Sequence, residues 1–253
     1  MLQVHQLAED ARTLGPFAGD PSGDLSLSRE SRGRSFGHVL SEQAAEVLRV
    51  VARCRVLSRN QIALLTRLSH HAVSRITDRL FRLGFLDRLV TGQTPPLYVI
   101  GPEGAALLGS LSEDWNPLRA FRLAAAAQLY IAMRGWRFPD AQYHPEPHEA
   151  LTALISAGLT DYGVLAPRLW PGEVAATKQL ADLYPEDGRL IIVAGSEDQG
   201  KELARVIPPH VNVRFTWDAL LTGGTPAFFA RRGKDLERIS PDPLDGRPGD
   251  ILE

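Results

Sequence analysis

Apolar residues recur at helical spacing from residue 39 onward. Ala44, Ala45, Val47, Leu48, Val51 and Ala52 form a stripe that predicts a helix from its cap, Ser41, to about Cys54. Ser58 suits the start of a second helix over 59–67, and Ser69 the start of a third over 70–83. A serine hydroxyl at these places accepts from the orphan amides of the first turn. In the third helix, Val73, Ile76, Leu80 and Leu83 fall three or four apart and make a core face. Gly84 suits a left-handed helix stop. Two strand-like runs follow, 85–90 and 97–100, joined by polar and turn-forming residues 91–96. Residues 102–111 read as a short helix with proline near its start, and 112–117 read as a hinge.

The second half alternates differently. An alanine-rich helix over 118–134 precedes a strand candidate over 136–143 and a proline-broken loop over 144–149. Strand patterns at 162–166, 190–194 and 211–217 are separated by helical patterns at 174–184 and 196–207. The run 190–194 is continuously apolar, as in a strand buried on both faces. Strands separated by helices argue for a small α/β layer domain. The expected fold class is therefore α+β. A flexible arm (1–38) leads to a winged helix-turn-helix (39–111). An α/β domain for dimerisation or partner binding (118–222) and a tail (223–253) complete the chain. A degenerate restriction-endonuclease-like scaffold is one form the α/β domain can take.

The order helix, turn, helix, two-stranded wing is the signature of a winged helix-turn-helix, whose dominant use is laying its second motif helix in a DNA groove. Opposite the core face of helix 70–83 stand His71, Ser74, Arg75, Asp78, Arg79 and Arg82. His70, His71, Ser74 and Arg75, near the helix start, point most directly at base edges, whereas Arg79 and Arg82 suit phosphates. The wing offers Arg88, Thr91, Gly92, Gln93 and Thr94, and Arg55 and Arg59 flank the first motif helix as phosphate clamps. Asp78 repels phosphate; it can accept from a cytosine amine or hold Arg75 or Arg82 in place.

Charge sharpens this picture. The whole chain carries −2, yet residues 41–100 hold nine arginines against four acids, while the remainder holds 19 basic and 26 acidic residues. A positive segment in an acidic chain is the electrostatic footprint of phosphate binding. Only three lysines occur, so arginine, whose planar fork matches phosphates and guanine edges, supplies nearly all the positive charge. The single cysteine, Cys54, makes no internal disulfide and suits a reducing cytoplasm. The first 15 residues lack the apolar stretch of a secretory signal, and no apolar run has the roughly 20 residues of a membrane span.

The stretch from Ser41 through Leu65, then 70–89 and 95–108, resembles the MarR-like winged-helix superfamily, and most closely the replication-relaxation proteins of bacterial plasmids and integrative elements. The shared features are a leading helix, the Leu57-Ser58 and Gln61-Ile62 pairs, the Arg79-to-Arg88 run and the wing-closing run from Tyr98 to Gly104. This resemblance implies an N-terminal winged helix joined to a C-terminal α/β domain. It also implies a role in plasmid maintenance, replication control or conjugative transfer. The expected partners are double-stranded DNA, a second copy of the chain and a replication or transfer protein.

Enzymatic patterns are incomplete. Gly195 to Lys201 nearly fits a phosphate-cradling loop, but Glu202 replaces the magnesium-ligating hydroxyl, and Glu197 and Asp198 carry negative charge into the cradle. Asp161 and Glu173 could serve a metal-dependent nuclease, but lysine is missing beside Glu173 and Lys178 lies too far along. His144, Glu146, His148 and Glu149 sit in a proline-broken loop that cannot align two histidines on one helix. Neither cofactor nor metal is expected. A non-enzymatic, sequence-specific DNA-binding protein of the cytoplasm is the leading reading, acting in replication, transfer or transcription control. Its alternative is a ligand-responsive repressor with Trp136, Phe138, Tyr143 and Trp170 around a pocket.

Overall fold

The computed structural model describes residues 28–31, 40–91, 94–110, 113–148, 151–168, 172–185, 188–222, 225–233 and 235–239. The fold is α+β. Contacts divide it into two units, with the break between Ala127 and Gln128.

In the first unit, β1 (Ser28–Glu30) is followed by α1 (Glu42–Cys54), β2 (Leu57–Ser58), α2 (Arg59–Thr66) and α3 (His70–Arg82). A hairpin of β3 (Leu86–Thr91) and β4 (Thr94–Ile100) comes next, then α4 (Pro102–Leu108). The last helix, α5 (Pro117–Trp136), contains the break between the units. Three serines set the helix starts. Ser41, Ser58 and Ser69 accept from the amides of Ala44, Gln61 and Ala72. At α2 the Gln61 side chain reaches back to the Ser58 amide and completes a capping box. Val47, Leu48, Val51, Ile62, Val73, Leu80 and Phe81 are buried, so α1, α2 and α3 enclose one apolar centre. Gln61, fully buried, also donates to the carbonyl of Ala124 at 2.7 Å and ties the early turns of α5 to α2.

The hairpin lies in a four-stranded sheet of order β1-β3-β4-β2. Gly101 and Gly104 allow the start of α4 to press on the turn after α3. A Cβ at Gly101 would meet the Gly84 carbonyl at 2.4 Å, and one at Gly104 would meet the Phe85 carbonyl at 2.3 Å. Both distances lie inside van der Waals contact, so this approach requires glycine.

The second unit is built on a seven-stranded sheet, in which β5 (Gln142–Pro145), β6 (Ala153–Ala157) and β7 (Thr160–Leu165) form an antiparallel meander. Through α6 (Val174–Asp182) the chain reaches β8 (Arg189–Ala194), parallel to β7, and through α7 (Glu197–Val206) it reaches β9 (Val213–Trp217), parallel to β8. The antiparallel strands β10 (Phe228–Arg232) and β11 (Asp235–Ile239) extend the sheet beyond β9. Leu165, Leu190, Ile192, Val213 and Phe215 pack with Ala181, Leu203 and Ala204 of the two crossover helices. On the opposite sheet face, Phe228 meets Trp136 at 6.5 Å between ring centroids.

Several boundaries depart from the sequence expectation. The domain break falls inside α5, not at the 112–117 hinge, because Gln61 anchors the early turns of that helix. Residues 28–30 of the expected arm are a strand pairing with β3. Within the expected tail, β10 and β11 are paired strands. These three strands carry charged residues and lie at or near sheet edges, where solvent exposure erases the apolar signal. The expected strand over 136–143 is replaced by the end of α5 and the short β5. Strand β6 had no expected counterpart. The expected loop over 91–96 shortens, since the hairpin pairs out to Thr91 and Thr94.

Candidate nucleic-acid interface

The turn between α2 and α3 begins at Arg67, left-handed at φ 57°, and closes on the Ser69 cap. Helix α3 buries Val73, Thr77, Leu80 and Phe81. This face is rotated slightly from the expected 73/76/80/83 set. Thr77 satisfies its hydroxyl on the Val73 carbonyl at 2.9 Å, and so a polar residue can enter the core. Rotation leaves His70, His71, Arg75, Arg79 and Arg82 exposed. The positions 71, 75, 79 and 82 follow i, i+4 and i+3 spacing and form one polar stripe. Arg75 and Arg79 have no hydrogen-bonding or ion-pair partner among the described residues, and the Arg82 Nε donates to the Asp78 carbonyl at 3.3 Å. Ser74 is half-buried on the flank of the stripe. Arg67, which the sequence reading passed over, is exposed at the turn just before α3. Its position three residues ahead of the helix was the available signal.

The other expected phosphate clamps are engaged. Arg59 donates to Asp78 Oδ1 at 2.5 Å and to Thr77 Oγ1 at 3.2 Å. Arg88 pairs with the same Asp78 oxygen and lies over the Phe81 ring, 4.0 Å from its centroid. The Asp78 carboxylate therefore holds Arg59 and Arg88, whereas Arg82 meets only the Asp78 backbone carbonyl. Arg55 lies 3.6 Å from Glu113, which also takes a bond from Arg119 at 2.6 Å. Three of the expected DNA contacts are thus internal ion pairs in this structure, because carboxylates from α3 and the 113–116 segment reach them. At the hairpin tip, Thr91 and Thr94 end the paired strands, while Gly92 and Gln93 lie outside the described residues.

A second ion pair is deeply set. Asp87 is fully buried, and its Oδ2 accepts from Arg29 Nε at 2.8 Å and lies 2.7 Å from Arg29 Nη2. Arg29 also donates to the Glu113 carbonyl at 2.9 Å. Sequence reasoning had no access to this pair, whose members lie 58 residues apart.

In the second unit the enzymatic candidates separate. Asp161 is exposed near the start of β7, whereas Glu173 is buried and accepts from the amide of Arg168, beyond the far end of that strand. The rise from Asp161 to Leu165 alone is about 13 Å, too far for two carboxylates to share one ion. Lys201 pairs with Glu197 at 2.6 Å, and this carboxylate holds the exposed ammonium above its ordinary pKa. Gln199 accepts from the Gly195 amide at 2.6 Å, so the near-cradle is occupied by its own capping contacts. Among the described residues, no group of three or more His, Cys, Asp or Glu is placed to hold a metal ion. Trp136 packs edge-on to Phe138 at 6.1 Å, both half-buried, and Tyr143 packs against Tyr130 at 5.1 Å as aromatic core. Trp170 lies outside the described residues. No helix among the described residues is long and apolar enough to cross a membrane.

In comparison with known proteins, no family model, curated protein or solved structure matches this chain.

Proposed function

We propose that this chain is a non-enzymatic protein that binds double-stranded DNA, with its first unit acting as a winged helix-turn-helix. The observation that carries the reading is the exposed stripe of His71, Arg75, Arg79 and Arg82 on α3, a helix whose other face is buried. Cations on the exposed ridge of a helix whose other face is packed into the first unit match the docking of a reading helix in the major groove. His71 and Arg75, nearer the N-terminus, face base edges; Arg79 and Arg82 meet phosphates. Arg67 adds a cation where the chain turns into that helix. Replication, transfer or transcription control on a plasmid or mobile element is the process this reading favours, with a second copy of the chain as partner on a two-fold site.

The test is a mobility-shift titration across salt concentrations. Arg75→Ala combined with Arg79→Ala should weaken duplex binding and lower the salt slope by about 1, since the phosphate contact of Arg79 contributes about 0.9. Unchanged affinity and slope in a folded double variant would remove α3 as the reading helix.

A further inference from the structure

Two guanidinium groups converge on one carboxylate oxygen beside the reading helix. Arg59 Nη2 and Arg88 Nη2 both contact Asp78 Oδ1. Beneath them lies an aromatic floor: Arg59 is 5.5 Å and Arg88 5.8 Å from the Tyr98 ring centroid, and Arg88 also covers Phe81. Two buried polar atoms here have no hydrogen-bond partner among the described residues, Arg88 Nε and the Tyr98 hydroxyl. The site is nevertheless open to water on one side, with side-chain exposures of 41% for Asp78, 35% for Arg59 and 22% for Arg88.

Two forks around one oxyanion make the arrangement arginine uses to hold phosphate. One carboxylate leaves this site with a net positive charge and donors still unmatched. We propose that Arg59 and Arg88 form a phosphodiester site that Asp78 keeps closed, so that docking of a DNA strand exchanges the Asp78 oxygen for a phosphate oxygen. The inference rests on the DNA-binding reading and adds a self-masking element to it. Asp78 occupies the place of the backbone phosphate and lowers the affinity of the free protein for arbitrary polyanions. A phosphate must then compete with an internal anion, so non-specific binding is weakened while the aligned complex recovers both contacts.

Asp78→Asn provides the test because it keeps the shape and removes the competing charge. Its duplex affinity at about 50 mM salt should rise at least about threefold, and the salt slope should steepen by about 1 to 2, one increment per phosphate newly neutralised. The same substitution placed in an Arg59→Gln/Arg88→Gln background should give no such gain, as expected for coupled groups. A gain that survives in that background reflects the general loss of a negative charge and overturns the proposal. So does a folded Asp78→Asn protein with unchanged or weaker binding. Thermal unfolding in inorganic phosphate is the second arm: Asp78→Asn should be stabilised more than the parent protein. If neither protein binds duplex but this phosphate effect is present, the site stands and the DNA reading falls. If the phosphate effect is also missing, the site falls too.

Discussion

Replacing Arg29 with alanine withdraws the cation from a carboxylate that has no exposure to solvent. Asp87 presents Oδ2 to both Nε and Nη2 of Arg29, while its Oδ1 has no hydrogen-bond partner among the described residues. The substitution leaves an uncompensated buried charge, and removal of one member of a buried pair costs about 3–5 kcal/mol. The Arg29 side chain is 27% exposed, so some water already reaches the pair. That argues for the low end, about 3 kcal/mol, which is a large fraction of a typical domain's stability. Urea unfolding followed by circular dichroism measures the loss, and amide exchange along β3 localises it, because the pair joins β1 to that strand. Adding Asp87→Asn to the Arg29→Ala protein should recover at least half of the loss, since a neutral amide is far cheaper to bury unpaired. An Arg29→Ala protein within about 0.5 kcal/mol of the parent, the usual range for an inconsequential surface change, would refute the argument. So would a double variant no more stable than the single one.

Two further predictions concern the same unit. Gln61→Leu should destabilise it by about 2 kcal/mol, because the Ser58 amide and the Ala124 carbonyl both lose a buried partner; calorimetry reads the shift, and no change would mean that water replaces both bonds. Gly104→Ala should cost about 1–3 kcal/mol, since its methyl would meet the Phe85 carbonyl at 2.3 Å, and a chemical-denaturation midpoint equal to the parent's would show that α4 moves away freely.

Local chemistry made the helices legible. Ser41, Ser58 and Ser69 each cap a helix where the sequence places it, and Gly84 takes φ 78° after α3. Those signals act within four residues of chain, so a single sequence contains them entirely. Edge strands were illegible for the opposite reason. Ser28–Glu30 and Asp235–Ile239 acquire their structure from distant partners, and their alternation is blurred by exposed charges. Trp136 and Phe138 are strand-favouring by residue type, yet Trp136 closes a 20-residue helix and packs on Phe228. The spacing of Val73, Ile76, Leu80 and Leu83 gives the direction of the α3 core face but not its exact set, which is Val73, Thr77, Leu80 and Phe81. Thr77 counts as polar in any periodicity, yet a bond to its own helix lets it sit in the core.

Charge counting misleads in a similar way. Nine arginines between residues 41 and 100 suggest one continuous cationic surface. Four of them, Arg49, Arg55, Arg59 and Arg88, face carboxylates of Glu46, Glu113 and Asp78 instead. Glu113 lies outside that sequence window, so its claim on Arg55 is invisible to a local tally. The five arginines with no carboxylate partner among the described residues are Arg53, Arg67, Arg75, Arg79 and Arg82, and three of these lie on α3. Local net charge thus overstates the cations presented to a polyanion, but it understates their alignment. Paired guanidinium groups are screened by their own acids at contact distance, whereas three of the five unpaired ones share α3 and retain their field toward solvent. The ridge of α3 is therefore where an approaching phosphate backbone meets the least internal competition.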